Sequence, residues 1–454
     1  MKKIWNEKYE AMSRDELETI RNERIQKQFK HAYDRSEYYK KKLQEVGAEP
    51  GDINTLEDLR KLPILMNKEM ERNSRDESIE KYGHPYGMHL SVPIEQLIVA
   101  KTTGGTTGHP TFTYTFTAHD LWRWNEGLGR CFWLAGVRAV DIVLFCFGLS
   151  GGWAGSEIKS PFQHIGALPI EAGAEGGTER IFYLAGLTKP TVLAATPSLT
   201  EYIAEKANAS GFDLKKWNLK TIVSTGEPGV GLKDVREKIE EAYNCKWYDF
   251  LMPCSEGAAA SCDAEEYMGM HEVAPELSVW VDDLVDPETK EPVEVKNGAI
   301  GEGVLTSLDR EGLPLLKYGL GDIIQVFTDP CSCDYPGPGY RMKVIGRADD
   351  LLIVKGVNVY PAAIKEVVSS FHPKVTGQIR VVVSEPPPRV VPPLKMKVEY
   401  GYAMSENEMN ELSNAITRKL HEILKIRPAL ELVPPESLAR TGGKTKLIEK
   451  HYES

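Results

Sequence analysis

The chain has 454 residues, 41% of them hydrophobic, and a formal net charge of −11. That length exceeds one ordinary compact domain and suffices for a large core plus a smaller one. The acidic balance, with no basic stripe, excludes a typical nucleic-acid binder, and no apolar run approaches the roughly 20 residues that span a bilayer.

No apolar run follows the lysines of MKKIWNEKYEAMSRDE, so the segment does not read as a secretory signal and a cytoplasmic protein is expected. Seven cysteines in a chain this long read as reduced thiols, some open to a metal. Residues 15–46 read as helical, with Leu17, Ile20, Ile25, Phe29, Ala32 and Tyr33 roughly on one face. DINTLEDLRKLPILMNKEME reads as a loop with a short helix and a proline stop.

From about residue 95, short β-rich apolar runs alternate with helical stretches. The runs are Gln96–Ala100, Ile142–Phe147, Thr191–Ala195 and Thr221–Ser224; the helical patterns are Pro197–Ala209 and Leu232–Tyr243. This alternation predicts βαβ units and largely parallel sheets, with ligands at the carboxyl ends of the strands. Beyond Gly346–Asp350 the order becomes strand, helix, two strands, helix and strand, with EPPPRVVPP as a turn between strands. The fold class is therefore α/β: a large part over 1–347, helical over about 1–90, with mixed or parallel sheets flanked by helices, then a small α+β domain over 348–454.

After QLIVA comes KTTGGTTGHPT, in which Thr102, Thr103, Gly104, Gly105, Thr106, Thr107, Gly108 and His109 form a Gly- and hydroxyl-rich loop. Such a loop brings backbone N–H groups and hydroxyls close to an anion. It lacks the Gly-Lys-Ser/Thr ending of P-loop enzymes. Gly443-Lys444-Thr445 fails the same motif, because the position five before Gly443 is Leu438.

TTGGTTGHPT resembles the phosphate loop of the acyl-adenylate-forming superfamily. STGEPG, TSLDREGLPLLKYGLGD, GRADDLLIVKGVNVYP and ARTGGKTK narrow the resemblance to the phenylacetate–CoA ligase family over almost the whole chain. It implies an adenylating domain carrying ATP and acid, and a mobile C-terminal lid. Residues 102–109 would hold the β- and γ-phosphates of ATP, and Gly226, Glu227 and Pro228 would pack on adenine and the acyl group. Asp322 would take the ribose hydroxyls, as a carboxylate can, with Arg347 beside it. Asp349 would be the hinge and Lys444 the catalytic lysine of adenylation. Lys355 and Gly356 would line the CoA tunnel.

Three departures stand out. His109 replaces the usual lysine, so either it is charged when ATP binds or backbone donors suffice. Gly319 replaces the usual arginine before Asp322. At the magnesium glutamate, aligning on Tyr248 selects Met252, whereas aligning the Ser-Glu pair selects Glu256; a hard Mg2+ ion prefers the Glu256 carboxylate to a thioether.

Cys262, His271, Cys331 and Cys333 make a possible structural Zn2+ set, although Cys-x-Cys is tighter than usual; some members of the family carry a similar set. Cys254 is a reserve ligand. The acid pocket is expected from Phe147–Gly155, 196–200, Gly226–Pro228 and 248–256, with Gly151-Gly152-Trp153 as a flat apolar slot.

The resemblance thus implies an AMP-forming carboxylate–CoA ligase. It would activate a carboxylic acid, aryl or arylacetic, with ATP and Mg2+, then transfer the acyl group to CoA. The implied assembly is a homodimer, with no nucleic-acid or membrane partner. The alternative is a stand-alone adenylating enzyme that uses another acceptor.

Overall fold

The computed structural model describes residues 3–102, 110–149, 155–439 and 447–452. The strands Leu168–Glu171, Ile142–Phe145, Val192–Ala194, Thr221–Ser224 and Lys246–Leu251 pair in that order, all parallel. Val192–Ala194 and Thr221–Ser224 are buried at every position, as expected where helices cover both faces. Period-two alternation sorts their side chains. Val143 and Phe145 join Phe132 of the helix Ala118–Leu134 and Phe162 of the helix Ser156–His164 on one face. Leu144, Leu193 and Ile222 face Ile181, Ile203 and Ile239, from the helices Gly177–Thr188, Pro197–Ala209 and Lys233–Tyr243.

Beyond Lys246–Leu251 the sheet turns antiparallel. It continues through Ala259–Ser261, Met270–Glu272, Arg341–Arg347, Tyr318–Phe327 and Ile300–Ser307 to the short strands Leu284–Val285 and Pro292–Val293. The N-terminal helices pack here, with Ile25, Phe29, Tyr39 and Leu43 in one core with Trp280, Leu305 and Ile324. The helical stretch expected over 15–46 is two helices, Arg14–Arg35 and Glu37–Glu45. Ser36 divides them: its backbone is extended, and its hydroxyl accepts the Tyr39 N–H, capping the second helix. The helix Ala118–Leu134 starts from a Thr117/Asp120 capping box. Asp120 also accepts the Glu311 and Gly312 N–H groups, so the cap doubles as a tertiary anchor.

A separate core lies past Arg347. Leu352, Val354, Ile364, Val368, Ile379, Val398, Ile416 and Leu420 are among its buried members. A four-stranded sheet runs in the order Ala429–Val433, Lys395–Tyr400, Val375–Val383, Ile448–Lys450. The helices Pro361–Ser369 and Glu406–Leu424 contribute Ile364 and Ile416 to the core beneath. The Pro-rich stretch is more than a turn: Arg389–Val390 pairs in parallel with Leu352–Val354. Among the described residues no helix is long and apolar enough to cross a membrane.

Candidate nucleotide site and a thiol–imidazole cluster

Thr103 to His109, Gly151 to Trp153 and Lys444 lie outside the described residues. Thr102, at the loop entrance, follows the strand Val99–Lys101, which pairs antiparallel with Tyr114–Phe116. At the exit, Thr111 and Thr113 are buried at 1% exposure. Both hydroxyls contact the Lys68 ammonium, Thr113 at 3.2 Å. Lys68 opens the helix Lys68–Tyr82, whose cap Asn67 accepts the Glu69 and Met70 N–H groups. Its placement is tertiary: Leu65 N–H donates to Lys317 O at 3.0 Å and Gly319 N–H to Met66 O at 2.9 Å. From the same helix, Arg75 donates to the Pro110 carbonyl. The Lys68 ammonium also meets Glu71 Oε2 at 3.0 Å. Burial pushes the Glu71 carboxyl up, but Lys68, His89 and hydrogen bonds from Thr113 and Lys68 outweigh it and hold it below its ordinary value.

At the carboxyl end of Thr221–Ser224 the chain turns through Gly226, Glu227 and Pro228. Gly226 and Pro228 are exposed, and Glu227 accepts the Ser198 N–H at 2.8 Å. Gly226 has φ +102 with open space around a Cβ, so backbone conformation rather than room requires glycine there.

Asp322 and Arg347 pair across antiparallel strands, and Arg347 Nη1 donates to Asp322 Oδ1 at 2.8 Å. The same guanidinium donates from Nε to Asp349 Oδ1 at 2.8 Å. At the 319 position a Cβ would lie 3.1 Å from Ile64 and 3.2 Å from Glu302, so Ile64 packs where the missing side chain would begin. Lys355 and Gly356, with φ 52 and 81, form the exposed tip of the hairpin Leu352–Val354/Val357–Val359.

The Glu256 side chain is 1% exposed, and its oxygens face Arg310 at 2.9 Å and Arg123 at 3.3 Å. Two buried guanidinium groups thus meet this carboxylate, while Arg310 also faces Asp120 at 3.4 Å and Arg123 faces Asp309 at 3.5 Å. Cys254, the reserve ligand, is not in the thiol–imidazole cluster. It lies within electrostatic reach of Lys68, Glu71, Asp322 and Arg347, and burial pushes its thiol up to about 12.

Cys262, His271, Cys331 and Cys333 do converge, with their ligand atoms all within 4.8 Å of one another. Cys262 and Cys331 sulfurs are 3.7 Å apart, and Cys333 Sγ is 3.3 Å from His271 Nε2. Tetrahedral zinc with bonds of about 2.3 Å to sulfur and 2.0 Å to nitrogen has edges of about 3.8 and 3.5 Å, so the donor set fits. A hydrogen bond from the Cys262 thiol, then His271, draws the Cys333 thiol down to about 3. Gly269 makes the approach possible: it has φ +84, and a Cβ would lie 2.8 Å from the Met342 carbonyl. His271 pairs with Arg341, whereas Asp322 pairs with Arg347 at the other end of that strand. Six residues of strand separate the cluster from Asp322 by roughly 20 Å.

Sequence reading missed Lys68, Glu71, Thr111, Thr113 and Tyr318. No local signal could have joined them, since Glu71 and Tyr318 are 247 residues apart and meet only through the fold.

A parallel nucleus continued by an antiparallel half, with a separately cored C-terminal unit, is the fold of the acyl–CoA ligases. The chain superposes on 2-hydroxyisobutyryl-CoA ligase in the postadenylation state with R3-HIB-AMP at TM-score 0.87 and 24% identity, covering 100% of this chain and 93% of that one. For the same enzyme with 2-HIB-AMP and CoA in the thioesterification state, the TM-score is 0.69 at 24% identity, covering 99% and 92%. Residues 356–451 match the family described as AMP-binding enzyme C-terminal domain. Phenylacetate–coenzyme A ligase of Thermus thermophilus is 27% identical over 98% of this chain and 99% of its own. The enzyme of that name from Pseudomonas putida is 30% identical over 79% of this chain and 76% of its own. The chain belongs to the phenylacetate–CoA ligase family.

Proposed function

We propose that the protein activates a carboxylic acid with ATP and passes the acyl group to CoA. The acid's carboxylate attacks the α-phosphorus and pyrophosphate leaves. The CoA sulfur then attacks the acyl carbonyl and AMP leaves. The observation that carries this reading is the Asp322–Arg347 pair, on the strand whose Tyr318 hydroxyl meets Glu71, the carboxylate that holds Lys68 at the exit of the Gly-rich loop.

In this reading Thr102 to His109 wrap the polyphosphate and Gly226, Glu227 and Pro228 border the base. Asp322 and Arg347 take the ribose. Lys68 supplies a fixed cation that His109 and Gly319 do not. An ammonium is suited to polyphosphate as a point charge. Lys444 would bring the second positive charge to the reacting α-phosphate. Magnesium would accompany ATP and neutralise phosphate charge. The buried ion pairs of Glu256 argue against that residue as its ligand.

The two cores support a boundary at 347/348 with Asp349 as the hinge, where Arg347 would link the ribose carboxylate to the turn that moves. The closer superposition on the postadenylation state supports the orientation before the CoA step. Lys355 and Gly356 would reach the thiol path after rotation. Cys262, His271, Cys331 and Cys333 would hold a structural Zn2+ that ties the loop after Phe327 to the main sheet. An aryl or arylacetic acid is favoured by the names of the curated relatives, and the resemblance favours a cytoplasmic homodimer.

ATP–pyrophosphate exchange over aryl, arylacetic and aliphatic acids tests the reading. Exchange should appear with an aromatic acid and need no CoA, with thioester formed when CoA is added. Exchange without thioester would shift the assignment to a stand-alone adenylating enzyme. No exchange with any acid would overturn the adenylation chemistry.

A further inference from the structure

The helix Lys68–Tyr82 grips the exit of the Gly-rich loop, and the grip centres on one buried carboxylate. Glu71 is 2% exposed. Its Oε2 accepts from Lys68 Nζ at 3.0 Å and from the Tyr318 hydroxyl at 2.9 Å, and its Oε1 accepts from the Thr113 hydroxyl. The three donors come from three parts of the fold. Lys68 sits one turn away on the same helix, Thr113 follows the Gly-rich loop, and Tyr318 begins the strand that carries Asp322. Both carboxylate oxygens are engaged, as a buried charge requires.

Lys68 is placed differently from its partner. Its side chain is 36% exposed while that of Glu71 is 2% exposed. Besides Glu71 it holds only the neutral hydroxyls of Thr111 and Thr113 among the hydrogen bonds described. An anionic oxygen entering the loop is the stronger acceptor and can replace those hydroxyls. Glu71 would stay in place, because Tyr318 and Thr113 hold it from the other side. His89 lies beneath, 1% exposed, with Nε2 lacking a hydrogen-bond partner. Its Nδ1 meets the Ser74 hydroxyl of the same helix at 3.2 Å.

We propose that Glu71 is a positioning residue for ATP: held by Thr113 and Tyr318, it keeps the Lys68 ammonium aimed at the polyphosphate. The inference rests on the nucleotide reading above. It goes beyond that reading by giving the N-terminal helix a part in the ATP site, through a residue that need not touch the nucleotide.

The test is calorimetric binding of the non-hydrolysable analogue AMPPNP with magnesium, and of AMP, to the full chain. Wild type, Glu71→Gln, Lys68→Met and the double variant are compared. Glu71→Gln is expected to weaken AMPPNP binding about tenfold, the scale of one charge-assisted contact. AMP, which lacks the outer phosphates, should change by less than about twofold on the same scale. The double variant should bind no more weakly than Lys68→Met alone, because Glu71 acts through Lys68. Additive losses in the double variant, or equal losses for AMP and AMPPNP, would overturn the proposal and leave Glu71 a purely structural group. Should Glu71→Gln not fold, Thr113→Val and Tyr318→Phe each remove one donor to Glu71. They must then weaken AMPPNP selectively, and unchanged AMPPNP affinity in both would equally overturn it. A wild-type chain that binds neither nucleotide refutes the nucleotide reading itself, which is a different failure.

Discussion

Arg347 donates to Asp322 at 2.8 Å and, with its other face, to Asp349 at 2.8 Å. One guanidinium, at the end of its own strand, thus joins a mid-strand carboxylate on the main sheet to the first turn of the C-terminal unit. Opposite charges draw the Arg347 pKa upward against the effect of burial, so the group stays a cation whatever the pH of an assay.

Asp322→Ala should weaken ATP binding by about tenfold or more, since the ribose hydroxyls would lose the acceptor proposed for them. Melting temperature should change little, because the Asp322 side chain is 20% exposed and Arg347 keeps Asp349 as a partner. Calorimetric titration with ATP alongside a thermal melt checks both. An unchanged ATP affinity would remove Asp322 from the site.

The thiol–imidazole cluster predicts one zinc per chain by elemental analysis. Cys331→Ser and Cys333→Ser should each lose it and lower the melting temperature, as loss of a structural metal does. Because the cluster lies roughly 20 Å from Asp322 along the strand, pyrophosphate exchange measured well below the melting point should survive in both. Exchange that disappears with the metal while the fold persists would contradict a structural role.

Glu256→Gln should destabilise the protein and leave the magnesium requirement alone. Arg310 and Arg123, 0% and 3% exposed, would lose one shared counter-charge but keep Asp120 and Asp309, so the cost should fall below the roughly 3–5 kcal/mol of an uncompensated buried charge. A magnesium titration of the exchange reaction checks the second half. A tenfold shift in its midpoint at unchanged melting temperature would restore Glu256 as a metal ligand.

Glu10 predicts a pH-dependent term. Desolvation pushes its carboxyl up to about 7, against the N–H bonds from Asn6 and Trp5 and the charge of Arg130. Unfolded, the group titrates near 4.5. Between these values the folded chain keeps a proton that the unfolded chain releases, so the contribution is full below about 4.5 and is lost as pH rises through about 7. Denaturant melts of wild type and Glu10→Gln should therefore differ increasingly from pH 5 to pH 8, with wild type losing ground. A constant difference would mean that Glu10 is ionised throughout.

Much of the fold was readable because it rests on local patterns. The apolar runs around Ile142–Phe145, Val192–Ala194 and Thr221–Ser224 are strands buried on both faces, and such strands advertise themselves without reference to partners. The Ser36 break was harder, since apolar periodicity runs through it and only the serine cap divides the helices. The convergence of Cys262, His271, Cys331 and Cys333 was readable from residue type together with the similar set in family members, because thiols and imidazole carry their chemistry wherever they meet. Residue type decides less at Glu256. A carboxylate also serves buried arginines, and Arg123 and Arg310 approach it from 133 and 54 residues away. Lys68 and Glu71 were invisible for a related reason: their partners are Thr111, Thr113 and Tyr318, and nothing in NKEMER names them.

The most direct test of the two-step account is the product balance of a single reaction containing ATP, magnesium, CoA and the best acid from the exchange panel. Chromatography with mass detection should find AMP, pyrophosphate and acyl-CoA rising together in equal amounts, with acyl-AMP accumulating only when CoA is withheld. ADP in place of AMP, or acyl-AMP that builds up unchanged in the presence of CoA, would contradict it.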